Sequence, residues 1–260
     1  MLESIGIGNE LNRIVDSSMA ALFGQGELAQ LSHTSFDHSI NAVQSDEKEV
    51  YTFEIPIGYQ PSKEPLLGKK TYTSEELIER YTSLAHKQIP INGIYQLVTI
   101  IEAMLSDIIR RVITCYPEKI GIKRQISIKE VLRAESIEEL HLFAASSLLH
   151  ELSYKSPREY AVAVDELISV NLLECPAFHV YIEMKASRDV LIHNRGIANE
   201  IYLHKAESHA RVKAGKEIPV DQIYFLEVYE ACLQFVEWFA LKLHDKWHSS
   251  EFELRRTKGT

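Results

Sequence analysis

Cysteine is scarce: Cys115, Cys175 and Cys232 are odd in number and lie far apart, so neither a disulfide framework nor a CxxC pair can be built from them. Such usage fits a reducing compartment, and a cytoplasmic location is expected. No run of about 18 uninterrupted apolar residues occurs, and the opening MLESIGIGNELNRIV has neither the basic start nor the apolar stretch of an export signal. Neither membrane insertion nor export is expected. Also missing are GxxxxGK[ST], a GxGxxG after a strand, GxSxG and HExxH, which removes the commonest nucleotide-binding, serine-hydrolase and zinc-protease readings. Gly6-Ile7-Gly8 is too short a fragment to count as a phosphate loop. Internal repeats and low-complexity tracts are absent. Positive charge is in deficit, 28 Lys and Arg against 37 Asp and Glu for a net −9. Coating nucleic acid by bulk charge is thereby excluded, because that mode needs many cations to release counterions.

What is present describes an ordinary globular chain: 260 residues, 45% apolar and 25% charged, enough to bury a core without metals or disulfides. Residues 1–72 are compositionally mixed and read as an N-terminal extension of uncertain fold, with a strand-like YTFEIPIGY at 51–59. From Thr73 the signals turn helical. Thr73 with Glu76, Ser127 with Glu130 and Ser136 with Glu139 carry the spacing of a capping box, while Ser156-Pro157 and Cys175-Pro176 place proline where a first helical turn tolerates it. The spacing predicts helices over about 74–87 and 94–116. In the second, Ile94, Leu97, Ile101, Leu105, Ile108 and Val112 recur at three- and four-residue steps before Pro117. A last amphipathic helix is expected over about 221–247. The fold class is therefore all-α: a helical domain over 73–248, a small irregular N-terminal extension, and a polar, frayed C-terminal tail over 249–260.

Few residues combine into chemistry. His244 and His248 stand one helical turn apart without a third ligand of suitable spacing, so no metal and no cofactor are expected. Glu102, inside the apolar helix 94–116, calls for a cation from a neighbouring helix, such as an arginine. The segment that stands apart is ASRDVLIHNRGIAN at 186–199, with Arg188, Asp189, His193, Asn194 and Arg195 ahead of Gly196. From Lys185 to Lys216 seven Lys or Arg face three Asp or Glu, a local balance of +4 in an acidic chain. The plain structural reading is a helix end with cations near its carbonyl pole.

Arg188-x4-His193 followed by Asn-Arg-Gly resembles the Arg-x4–6-His motif of the HEPN superfamily, helical domains that include metal-independent ribonucleases of toxin–antitoxin, phage-defence and RNA-processing systems. A second match, Arg80-x5-His86, lies in the charged LIERYTSLAHKQ without a glycine exit. Around Arg188 the order is similar to these families over about 92–247: an apolar helix with Glu102, Arg110 and Arg111, a proline exit, SIKEVLRAESIEEL, a helix ending LSYKSPREY, the motif helix, IYLHKA and a terminal amphipathic helix.

The resemblance implies a HEPN-like bundle and an endoribonuclease in which an RNA 2′-hydroxyl attacks the adjacent phosphate, leaving a 2′,3′-cyclic phosphate without metal. His193 would act as acid and base and Arg188 would hold the phosphate and its growing charge. Asp189 would support His193 one turn on, and Asn194 would bind substrate or fix the loop. On an ideal helix, Arg188 and His193 lie about 140° apart around the axis and about 7.5 Å along it. A site using both then requires the helix to unwind, or two copies to meet across a dimer axis. Expected partners are RNA, a second copy of the chain and an antitoxin or regulatory protein. A non-catalytic RNA- or protein-binding module, and a purely structural helical dimer, remain the alternatives. Many HEPN proteins carry Asn where this chain has Asp189, whose charge opposes phosphate.

Overall fold

The computed structural model describes residues 2–121 and 127–258, with side chains described for 6–121 and 127–256. It is 74% helix and 9% strand, so the expected helical class holds at that level and the strand content is confined to one hairpin. No helix among the described residues is long and apolar enough to cross a membrane.

The N-terminal segment departs from the expected irregular extension. Residues Leu2–Ser45 form one helix, α1. Its buried positions Ile7, Leu11, Val15, Leu22 and Ala29 recur at four- and seven-residue steps, the spacing of a single apolar stripe. Strands β1 (Val50–Tyr59) and β2 (Pro65–Thr73) follow as an antiparallel hairpin, Val50 opposite Thr73 and Tyr59 opposite Pro65, with a bulge between Pro56 and Gly58. Gly68 leaves room for Ile57, whose side chain would lie 2.9 Å from a Cβ placed there.

Thr73 and Glu76 close the expected capping box on α2 (Ser74–Ser83). Where the sequence suggests a break between 87 and 94, the chain instead runs on through a π-helical turn, Leu84–Gln88, into α3 (Ile89–Cys115). The Ile89 N–H reaches back to Leu84 O. Pro90, next along, has no N–H to give and would crowd the carbonyl four residues earlier, so the helix widens by one residue there.

The capping boxes at Ser127 and Ser156 open α4 (Ile128–Arg133) and α6 (Pro157–Ile168), and the Ser136 hydroxyl caps α5 (Ile137–Ser153). Beyond Pro176 come α7 (Phe178–His193), α8 (Glu200–Ala206), α9 (Gln222–Lys246) and α10 (Ser250–Lys258).

The described chain divides into two compact units, one drawn from Met1–Gln25, Ile94–Pro219 and Leu226–Thr260, the other from Gly26–Gly93 and Val220–Phe225. In the first, the α3 positions Ile94, Leu97, Ile101, Leu105, Ile108 and Val112 are all fully buried, each contributing about 1.5–3 kcal/mol of apolar transfer. Phe178 and Tyr181 of α7 stack on Phe235 of α9, which stacks in turn on Phe239.

The C-terminal residues differ from the expected frayed tail: α10 is capped by the Ser249 hydroxyl, which accepts from Phe252 N–H at 3.1 Å, and is tied to α1 through Asn9 and an Arg13–Glu251 ion pair. Residues 259 and 260 of that tail lie outside the described residues. Gly8 is obligatory at this junction, since a Cβ there would sit 1.9 Å from Trp247 O. In the second unit, Phe36 of α1 packs on Tyr81 of α2 with ring centroids 5.5 Å apart.

Candidate functional site

Helix α7 positions the residues of the Arg-x4-His segment, and its inner face explains why it is held so firmly. Glu183 is 4% exposed, and its carboxylate accepts from the Ser187 hydroxyl at 2.6 Å and from the Tyr202 hydroxyl of α8 at 2.8 Å. Tyr202 Oη accepts in turn from Arg211 N–H at 2.9 Å. Burial pushes the Tyr202 phenol up to about 12, so it stays a donor at neutral pH. The network fixes α8 and the chain after it against α7, and a carboxylate this deep is tolerable only because it is satisfied.

On the adjacent face, charges are paired. Glu102 of α3 has found its cations: Arg188 at 2.6 Å and Lys185 at 2.7 Å. Asp189 pairs with Arg188 at 3.3 Å and with Lys205 of α8 at 2.8 Å. Three cations and two carboxylates leave a residual +1. The Arg188 Nε–H is buried without a partner. Glu102 also adds to the burial that raises the phenols of Tyr160 and Tyr181. Beside this cluster lies a small pocket of about 30 Å³, with Tyr160, Phe178 and Tyr181 in its wall and Lys155, Lys185 and Lys205 among its lining residues. Arg188 and His193 do not line it.

At the C-terminal end of α7 the situation reverses. His193 is the last helical residue and is exposed, with no hydrogen bond, ion pair or ring contact among the described residues. The chain then turns through Arg195 (φ 54°) and Gly196 (φ 78°), both left-handed. Asn194 N–H and Gly196 N–H return to Val190 O at 2.8 and 3.1 Å, a closure of the kind that favours glycine at a helix end.

The turn is pinned from outside: Ala198 N–H donates to Lys216 O at 2.8 Å, Gly215 N–H to Ala198 O at 2.8 Å and Ile218 N–H to Gly196 O at 2.8 Å. These bonds lay the 213–218 segment against the turn after His193. Arg195, Lys213 and Lys216 are exposed and form no ion pair among the described residues.

No family model, curated protein or solved structure matches the chain. The site therefore stands on its own geometry.

Two sequence expectations need correction. Asp189 does not hold His193: its carboxylate is taken by Lys205 and Arg188, which offer charge at shorter range. The helix does not unwind between Arg188 and His193 either, since α7 is regular through His193, so the two side chains leave one helix about 140° apart. Asn194 fixes the loop, its Nδ2–H donating to Ile197 O. His244 is engaged as a cap: its Nδ1 accepts from Ser249 N–H at 3.1 Å, and its ring stacks on Phe252. The approach of the 213–218 segment to the turn after His193 escapes sequence reading, because the backbone ladder that makes it has no side-chain signature.

Proposed function

We propose that this protein is a metal-independent endoribonuclease of the HEPN type. His193 would move the proton on and off the 2′-hydroxyl and leaving oxygen, giving a 2′,3′-cyclic phosphate and a 5′-hydroxyl. The observation that carries this reading is the exposed imidazole of His193, unpartnered among the described residues, just ahead of a turn against which the segment bearing Lys213 and Lys216 is hydrogen-bonded, these lysines and Arg195 forming no ion pair among the same residues. An imidazole titrates near neutral pH and serves as acid and base, and the cations supply phosphate contacts. Arg188 is assigned to the growing charge on phosphate. To reach it, Arg188 exchanges the Glu102 carboxylate for phosphate, while Lys185 keeps Glu102 neutralised. Because one helix cannot aim both side chains at one point, the composite site takes Arg188 from one copy and His193 from the other. The exposed Ile192, Ile197 and Ile201 around the motif offer apolar surface for such a pairing, or for a regulatory protein in a defence or toxin–antitoxin setting.

Purified protein should cleave RNA in EDTA and leave cyclic-phosphate ends detectable by mass spectrometry, and His193→Ala should not. Arg188→Ala and His193→Ala proteins, each inactive, should regain about a quarter of wild-type activity when mixed and re-equilibrated, since half the dimers are mixed and each holds one intact site. Absence of complementation in a demonstrated dimer removes the shared-site arrangement.

The engagement of Arg188 by Glu102 and Asp189 favours a second reading, a non-catalytic RNA-binding module. It predicts RNA binding that survives both alanine variants and no cyclic phosphate from any RNA.

A further inference from the structure

The second unit carries a different group of side chains, independent of the ribonuclease reading. His33 and Asp37 lie one turn apart on α1, with His33 Nδ1 3.0 Å from Asp37 Oδ2. A carboxylate at that distance accepts a hydrogen bond from Nδ1–H and leaves the Nε2 lone pair free. That nitrogen is buried and has no hydrogen-bond partner. An orphaned buried acceptor costs free energy unless something occupies it.

Facing it is His86, whose ring lies edge-on to His33 with centroids 5.0 Å apart and planes at 81°. His86 belongs to the π-helical turn Leu84–Gln88, a local widening found disproportionately at functional positions. The Phe36–Tyr81 contact on the neighbouring turns holds the two helices together here. One donor atom from each of His33, Asp37 and His86 can be chosen so that all three lie within 4.8 Å of one another.

We propose that His33, Asp37 and His86 bind a zinc ion that fastens α1 to the π-helical turn. Two imidazoles and a carboxylate are the donor set of three-ligand zinc sites, with water completing a tetrahedron. Calcium and magnesium, which prefer oxygen cages, do not suit it. Zinc–nitrogen bonds near 2.05 Å separate tetrahedral donors by roughly 3.3 Å, so modest side-chain rotations complete the site.

The other histidine group, His244, His248 and Glu253, is less suited. His244 Nδ1 already accepts a backbone N–H, which places its proton on Nε2, the nitrogen facing Glu253 at 3.6 Å.

The test is a zinc titration of the EDTA-treated, dialysed full chain in competition with a chromogenic chelator, repeated with cobalt(II) to read visible d–d bands. The expected result is one zinc per chain at micromolar affinity or tighter, weakened about 10–100-fold by H86Q and by D37N and unchanged by H244Q. Zinc should also raise the thermal midpoint of the wild-type chain and not of H86Q. His86 is exposed, so H86Q remains decisive even where H33Q fails to fold. Failure of the wild-type chain to compete for micromolar zinc, or loss of affinity with H244Q but not with H86Q, overturns the proposal. RNA cleavage in EDTA is a separate readout, and its failure leaves the zinc result intact.

Discussion

Two successive turns at the end of one helix treat charge in opposite ways. Around Arg188, on the last turns of α7, every cation has a carboxylate: Arg188 and Lys185 meet Glu102, and Lys205 meets Asp189. After His193, one turn further on, Arg195, Lys213 and Lys216 are exposed and form no ion pair among the described residues. Charges of the first kind fasten helices and are costly to unpair. Those of the second kind hold nothing within the chain and are available to a ligand. Of the local +4, Lys185, Arg188 and Lys205 less Asp189 make +2, which Glu102 from outside the segment reduces to +1, and the other +2 lies on the rest of the segment.

The comparison can be broken most sharply at His193. His193→Ala should lower RNA cleavage about a hundred- to ten-thousand-fold while the unfolding free energy stays within about 0.5 kcal/mol; both numbers come from one preparation by cleavage assay and urea titration. A variant that loses activity and stability together would mean that His193 is structural.

Next in size is Glu102→Ala, which strands Lys185 and leaves Arg188 with Asp189 alone. Because the cluster is partly exposed, its cost should be about 2–3 kcal/mol, below that of a fully buried pair. A denaturation midpoint equal to wild type would show the pairing to be surface decoration.

Tyr202→Phe removes one donor from the buried Glu183 and should cost about 1–2 kcal/mol. It should also speed hydrogen exchange in α8 more than in α9; equal change in both would place the effect elsewhere.

The smallest effects belong to the free cations. Lys213→Ala and Lys216→Ala should each leave stability within about 0.5 kcal/mol and each flatten the dependence of log RNA affinity on log salt by about 0.7–1. An unchanged slope in both would move the RNA path away from the turn after His193.

Much of the first unit was legible in the sequence because its signals are local. The α3 stripe, the helix starts at Ser127 and Ser136, and the need of Glu102 for a cation all follow from spacings of three and four residues or from one polar residue in an apolar run. Helix α1 was not legible, because Gly8 and polar residues fill most positions between Ile7, Leu11, Val15 and Leu22 and dilute any window average. The stripe is narrow but regular.

The continuity of α2 into α3 was hidden for a different reason. Pro90 and Gly93 are breakers in isolation, yet the π-helical turn accommodates the first, and the close Phe225 ring, 2.4 Å from a Cβ placed on Gly93, requires the second. At the site, residue identities were readable and their pairings were not. The expected Asp189–His193 contact is outcompeted by lysine and arginine from other turns, which only the tertiary arrangement supplies.

The β1–β2 hairpin has a bearing on how this protein behaves when concentrated. It is a ribbon of two strands with Ile57, Tyr59, Leu66 and Leu67 exposed, and each strand has one outer edge whose backbone groups have no partner strand in the sheet. Such edges recruit further strands and seed aggregates. Several of its residues resist that outcome: Pro56 withholds an amide from one strand, the bulge beside it twists the ribbon, and Lys69 and Lys70 place charge on the other. In storage and crystallisation alike, colloidal stability should therefore hinge on Pro56 and these lysines more than on any residue of the helical core.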